Sequence, residues 1–365
     1  MALTQVDQGL LGTYAQYTGF KNRIINGNMT ISQRNGTTAT SVSGNDIYTI
    51  DRYKGWANGG GVFSVTQSTT APTGFANSAL ITVTTADSSI AAGDNYRFAQ
   101  VIEGYNIADF GFGASGASTV TLSFWVRSSV TGTFGGSFYS SPATRSYVFN
   151  YTISSANTWT YITTTATGDT SGSWNNTNGQ GLTIYFDMGS GSNYENATGS
   201  WVGSEKFRTS GNATLISTLS ATWYVTGIQL EKGSTATSFD YRPYGTELSL
   251  CQRYAWVYSG NSYAYARGPV LNVSTTSTIW YMQYPTTMRT APSLSLNNIT
   301  SSTIEFYNYT TGTAPTYSSS VFNESSIWGG AISFVTTGTT FTTGGVGNWR
   351  WTSAPNANFT FSAEL

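Results

Sequence analysis

The sequence predicts an all-β chain, a jelly-roll sandwich followed by a smaller β domain, and three observations carry that prediction. Only 9% of its 365 residues are charged while 15% are aromatic, against about 25% charged in an average soluble protein. Forty glycines, with many Ser, Thr and Asn, punctuate the chain as turns. Between them lie short runs whose apolar residues alternate with period two, as in half-buried strands.

Residues 1–22 mix small and polar residues with scattered apolar ones and are too sparse for a core of their own. Leu3, Val6 and Leu10 fall near helical spacing, with Leu11 beside them. They mark either an amphipathic segment that docks on a partner or a frayed terminus. A sandwich domain is expected over 23–240. Its sharpest strand is 119–127, where Val120, Leu122, Phe124 and Val126 alternate with Thr121, Ser123 and Trp125, so one face is core and the other wet. Similar runs are 62–67, 79–84, 98–103, 147–153, 159–163 and 182–187, and Trp223 to Glu231 reads as the closing strand. Residues 188–222 are poor in strand signals and long for a connection within a compact domain, which marks them as a functional loop.

Residues 241–253 form a linker. Arg242-Pro243 forces an extended stretch, and Thr246 is positioned to cap a short helix through Leu250-Cys251-Gln252-Arg253. A second, smaller β domain is expected over 254–365, with strands near 254–258, 278–284, 293–296, 303–309, 331–336 and 358–365. The alternation of Phe359, Phe361 and Leu365 ties the end of the chain into a sheet.

Composition also excludes function classes. The net charge is −1 and no Lys/Arg run exists, so the field that attracts nucleic acid or an anionic membrane is missing. No apolar run approaches the roughly 18 residues of a spanning helix, and a soluble chain without membrane insertion is expected. A net charge near zero favours association. There is no His and only one Cys, Cys251, which removes His-based triads, His-ligated zinc and thiolate clusters. No Gly-rich phosphate loop follows a strand, so no cofactor or metal is expected. Glycoside hydrolysis needs only two carboxylates, which Asp94, Glu103, Asp109, Asp187 and Glu195 could supply. The plainer reading is that they cap turns or pair with Arg97, Arg127 and Arg145, and no enzymatic activity is expected.

Aromatic residues stand where core packing does not call for them. Trp125 and Tyr185 occupy the wet faces of their strands, and Trp174, Tyr194 and Trp201 lie in Gly/Asn-rich loops. Flat rings beside Asn, Ser and Asp suit sugar binding, the C–H face of the sugar stacking while its hydroxyls are hydrogen-bonded. Packing between subunits or domains is the other reading of the same residues.

Several motifs resemble one family. Asn22-Arg23-Ile24-Ile25-Asn26-Gly27-Asn28-Met29, Gln33-Arg34, Asp51-Arg52-Tyr53, Gln229-Leu230-Glu231-Lys232-Gly233, Tyr241-Arg242-Pro243, Glu247-Leu248, Leu250-Cys251-Gln252-Arg253-Tyr254 and Met288-Arg289-Thr290-Ala291-Pro292 look like those of bacteriophage tail fibre and appendage proteins, marine ones in particular. The resemblance covers most of the chain. It implies a virion protein made in the host cytoplasm. It further implies a homotrimer whose N-terminus docks on other virion proteins and whose jelly roll is similar to carbohydrate-binding modules. Attachment to bacterial surface polysaccharide is the function it suggests. A structural adaptor, head fibre or capsid decoration is the alternative, and a polysaccharide depolymerase a second. The motifs themselves read as framework.

Overall fold

The computed structural model describes residues 20–260, 270–308, 316–337, 341–352 and 357–365. Leu3, Val6, Leu10 and Leu11 lie outside the described residues. The chain divides into two compact units, one ending at Tyr244 and one beginning at Gly245.

In the first unit the strands are β1 (Thr40–Val42), β2 (Ile47–Tyr48), β3 (Tyr53–Asn58), β4 (Val62–Ser68), β5 (Ser78–Thr85), β6 (Asn95–Glu103), β7 (Val120–Ser128), β8 (Gly132–Ser140), β9 (Arg145–Ile153), β10 (Thr160–Ala166), β11 (Gln180–Asp187), β12 (Trp201–Val202) and β13 (Thr222–Lys232). They form two antiparallel sheets, ordered β1-β4-β5-β13-β7-β10 and β12-β9-β8-β11-β6-β3-β2, packed as a jelly-roll sandwich. Between them lies one core to which β7 contributes Val120, Leu122, Phe124 and Val126, all fully buried. Trp223 packs its rings against Phe98 and Phe186, with centroids 6.4 and 5.4 Å away. Its indole N–H donates to the Tyr151 hydroxyl at 3.2 Å, so the one polar atom it carries inside is satisfied.

The glycines of β8 hide its period, which is why this strand has no clear sequence signature. At Gly136 a Cβ would lie 2.4 Å from the Phe149 ring and 2.6 Å from the Tyr185 carbonyl. Close approach of neighbouring strands demands glycine there, at the expense of the alternating pattern.

The motifs that resemble phage appendages are spent on framework contacts. Asn22 donates to the Ile228 carbonyl at 3.0 Å and accepts from the Leu230 amide at 3.0 Å. Asn26 ties the Ile31 and Asp51 carbonyls together. Glu231 accepts from the Thr237 amide at 2.8 Å, and Gln229 accepts from the Asp240 amide at 2.8 Å. Arg242 donates to the carbonyls of Asn22 and Ile24. The first described residues and the segment after β13 are thereby fastened to the closing strand, which fixes where residues 234–242 run.

The second unit carries most of α1 (Tyr244–Gln252), then β14 (Ala255–Ser259), β15 (Val270–Asn272), β16 (Ser277–Gln283), β17 (Ser293–Asn297), β18 (Ile304–Asn308), β19 (Thr316–Ser325), β20 (Gly329–Thr337), β21 (Val346–Trp351) and β22 (Asn358–Ser362). A three-stranded sheet, β14-β22-β17, and a six-stranded one, β18-β21-β15-β16-β20-β19, enclose a core of Trp280, Trp349, Trp351, Phe359 and Phe361. The helix begins directly after Pro243, earlier than its expected cap at Thr246. Proline's preset φ opens a helix without needing the amide hydrogen bond it lacks, and Thr246 lies inside the first turn.

Candidate functional site

The outer face of the six-stranded sheet in the first unit carries the candidate site, a groove lined by aromatic residues. On β7 the residues facing away from the core are Thr121, Ser123, Trp125 and Arg127. Thr121 and Ser123, expected to be wet, are buried. The reason is the segment fastened after β13. The Thr121 hydroxyl donates to the Gly233 carbonyl at 2.7 Å, and Ser238, Phe239 and Tyr241 stand above Ser123.

Trp125 is half-buried and faces Tyr161, its register partner on β10. Their ring centroids are 5.2 Å apart with the planes inclined by 46°, and Tyr161 is 44% exposed. Opposite them Phe75, Phe239 and Tyr241 form a second aromatic group with centroid separations of 4.8 to 5.6 Å. The Tyr241 hydroxyl donates to the Gly74 carbonyl at 2.6 Å, and that of Thr226 to the Asn77 carbonyl at 2.7 Å, so the loop bearing Phe75 is held at both ends. The floor is a bulge in β13, where the register with β7 shifts between Thr226 and Gln229. There Gly227 takes φ +63°, and a Cβ would meet the Phe75 ring at 2.6 Å.

Together these residues line an open groove of about 270 Å³, with aromatic rings for walls, the buried Ser123 at its base and the exposed hydroxyl of Ser238 at its edge. Among the described residues no Asp, Glu, Lys or Arg lines it. Such a lining offers aromatic ring surface and hydroxyl groups rather than ionised ones.

The other expected sugar-binding residues are placed differently. Tyr185, expected on a wet face, is 4% exposed. It lies beneath Phe207, which packs edge-on at 5.7 Å, and beside Tyr139, stacked at 5.4 Å, while the Arg97 guanidinium sits 4.3 Å from its ring centre. Of the stretch 188–222, expected as a functional loop, the part from Tyr194 to Phe207 covers this outer face of the seven-stranded sheet and adds β12 to its edge, while Leu215 and Ile216 enter the core between the sheets. Burial pushes the Tyr185 hydroxyl well above the usual tyrosine range. Tyr194 belongs to the same cover, stacked on Phe207 at 4.6 Å. Trp174 and Trp201 come together with Phe112, the two indoles perpendicular at 5.4 Å. Both indole N–H groups are taken by backbone carbonyls, Ser171 at 3.1 Å and Thr167 at 2.7 Å, so these rings pin loops.

The carboxylates are dispersed. Asp187 is fully buried and faces Arg208 at 3.3 Å, which also reaches Glu195 at 3.8 Å. Burial pushes the Asp187 carboxyl above its usual range, with Arg208 opposing. Asp109 pairs with Arg23 at 2.9 Å, Asp94 accepts from the Ala91 amide at 2.7 Å, and Glu103 is buried. Arg97 pairs with Glu205, and Arg145 holds Asp169 through two hydrogen bonds, whereas no acid pairs with Arg127 among the described residues. No three acidic, Cys or His side chains among the described residues converge to hold a metal ion.

Of the residues singled out from the sequence, Trp125 lines this groove, and Tyr161, Phe75, Phe239 and Tyr241, which also line it, were not among them. Tyr161 could have been found, because it alternates outward within an expected strand. The other three lie in connections, where period-two patterning carries no signal.

No protein-family model matches the chain, and no curated protein sequence does. Among solved structures it is similar to the enzymatically active domain of tailspike protein 4 of bacteriophage CBA120, at 14% identity and a TM-score of 0.28. That match covers 58% of this chain and 21% of the tailspike domain, about a fifth of its length. The chain is also similar to a family 11 carbohydrate-binding module from Clostridium thermocellum, solved in complex with a β-1,3-1,4-mixed-linked tetrasaccharide. That match has 10% identity, a TM-score of 0.29, and covers 54% of this chain and 98% of the module. A xylan-binding domain from Paenibacillus barcinonensis matches at 10% identity and a TM-score of 0.26, over 55% of this chain and 99% of the domain.

Proposed function

We propose that the chain is a bacteriophage virion appendage that attaches to bacterial surface polysaccharide without cleaving it. The observation that carries the binding is the groove lined by Trp125, Tyr161, Phe75, Phe239 and Tyr241, with the Ser238 hydroxyl at its edge. The appendage assignment rests on the motifs from Asn22 to Pro292 that resemble tail fibres. In this reading the segment 1–22 docks on other virion proteins and the chain works as a homotrimer. A single shallow sugar site near millimolar affinity supplies only about 4 kcal/mol. Linking sites in a trimer, and trimers on a particle, raises avidity by roughly 10²–10⁴ where geometry allows.

The test is binding of the purified protein to a panel of bacterial surface polysaccharides, with released reducing ends assayed in the same wells. Binding without new ends is the expected result. Binding with cleavage would replace it by a depolymerase. Absence of binding across the panel would favour a structural adaptor or decoration, a reading that the loop-pinning roles of Trp174 and Trp201 already suit.

A further inference from the structure

Arg127 stands two residues beyond Trp125 on the same face of β7, about 6.8 Å further along at a rise of ~3.4 Å per residue. Its guanidinium lies 4.9 Å from the ring centre of Tyr224, its register partner on β13. Trp159 meets that ring edge-on at 6.1 Å. The described hydrogen bonds engage only its Nε, which donates to the Asn157 carbonyl at 2.8 Å. Arg23, Arg97, Arg145, Arg208 and Arg350 each face a carboxylate. Arg127 faces none among the described residues, and it continues the aromatic surface of the groove. A guanidinium oriented by a ring face and a carbonyl, with both Nη groups left over, is suited to an anionic oxygen pair.

We propose that this face takes an acidic saccharide, one sugar ring in the Trp125–Tyr161 groove and an anionic substituent on Arg127. This rests on the reading of the groove as a saccharide site and narrows its ligand class. The substituent is a carboxylate or an ester sulfate or phosphate, which share the planar or trigonal oxygen array that the fork matches. With a net charge of −1 the protein has no long-range attraction for polyanions. Selectivity for acidic sugars comes from this local contact and has a shallow salt dependence.

The full chain is titrated with alginate, with the same alginate after reduction of its carboxyls to alcohols, with dextran sulfate and with dextran. The variants are Arg127→Gln, Arg127→Lys and Trp125→Ala, each checked for an unchanged fold by thermal melting and circular dichroism. The expected result is that Arg127→Gln weakens binding to alginate or dextran sulfate about tenfold or more. Carboxyl-reduced alginate and dextran are left within about twofold, and Arg127→Lys restores part of the loss. Whichever acidic probe responds identifies the substituent. If Arg127→Gln binds both acidic probes as the parent does while Trp125→Ala loses them, the inference is overturned and the saccharide site stands. If neither acidic probe binds, the inference is overturned and the polysaccharide panel decides the saccharide site by itself; if Trp125→Ala binds every probe as the parent does, the groove is not the saccharide site and the inference falls with it.

Discussion

Replacing Trp125 by alanine separates a binding groove from a packing feature, because the two assign the indole different partners. The side chain is half-buried against Tyr161 and the bulge of β13, so the free face is what a sugar would stack on. Covering ~60 Å² of that face, of the 150–250 Å² an aromatic side chain can bury, contributes about 1.5 kcal/mol at about 25 cal/mol/Å². Ring-face geometry adds about 0.5–1.5 kcal/mol. The sum, about 2–3 kcal/mol, corresponds to a loss of roughly 30- to 150-fold in Kd per site. Stability should fall by only about 1–2 kcal/mol, the cost typical of a half-buried side chain. Trp223→Ala, deep between the sheets, should cost about 3–5 kcal/mol instead. Titration calorimetry on a polysaccharide selected from the panel, with denaturant melts alongside, reads both quantities. Tyr161→Ala, at an exposed ring, repeats the test with less risk to folding. If both variants fold and bind with unchanged Kd, the groove is not the sugar site.

Two further predictions concern the groove's floor and the sandwich that carries it. Gly227→Ala forces an alanine to φ +63° and its Cβ into the Phe75 ring; a loss of about 1–3 kcal/mol in a urea melt, with weaker polysaccharide binding as the groove wall shifts, is expected. Unaltered binding would show that Phe75 is not a wall of the site. Asp87 accepts from the Tyr96 hydroxyl at 2.6 Å and from the Ser89 amide at 3.0 Å. The Tyr96 hydrogen bond is the main reason that its carboxyl is held below the usual carboxylate range. A depressed native pKa means stability that is complete above the unfolded value of about 3.9 and lost as pH falls below it. Asp87→Asn should therefore cost about 1.5 kcal/mol at pH 7 and flatten the acid limb of the stability curve. Parallel acid limbs in variant and parent would show that Asp87 does not contribute there.

Trp125 and Tyr185 show how far the sequence reaches. Both alternate outward in strands whose inward residues are apolar, and along the chain their signatures are the same. The structure separates them because the segment from Tyr194 to Phe207 folds over the seven-stranded sheet and buries Tyr185 under Phe207, while residues 234–242 cover only part of the six-stranded sheet and leave Trp125 half-exposed in the groove. Which sheet a connection crosses depends on contacts between distant residues, such as Arg208 with Asp187 or Gln229 with the Asp240 amide, and no local pattern encodes it.

Composition and the alternation of residues two apart were enough for the all-β class, the buried face of β7, the closing strand and the absence of imidazole and thiolate-cluster chemistry. Which rings meet was a matter of tertiary packing. Phe75, Trp125, Tyr161 and the Phe239–Tyr241 pair come from four separate stretches of the chain. Their convergence depends on a β-bulge at Gly227 and on motif residues whose hydrogen bonds fasten residues 234–242 to β13. Period-two alternation specifies a face, but a groove needs the order of strands in the sheet and the path of the chain above it, and both are set by long-range packing.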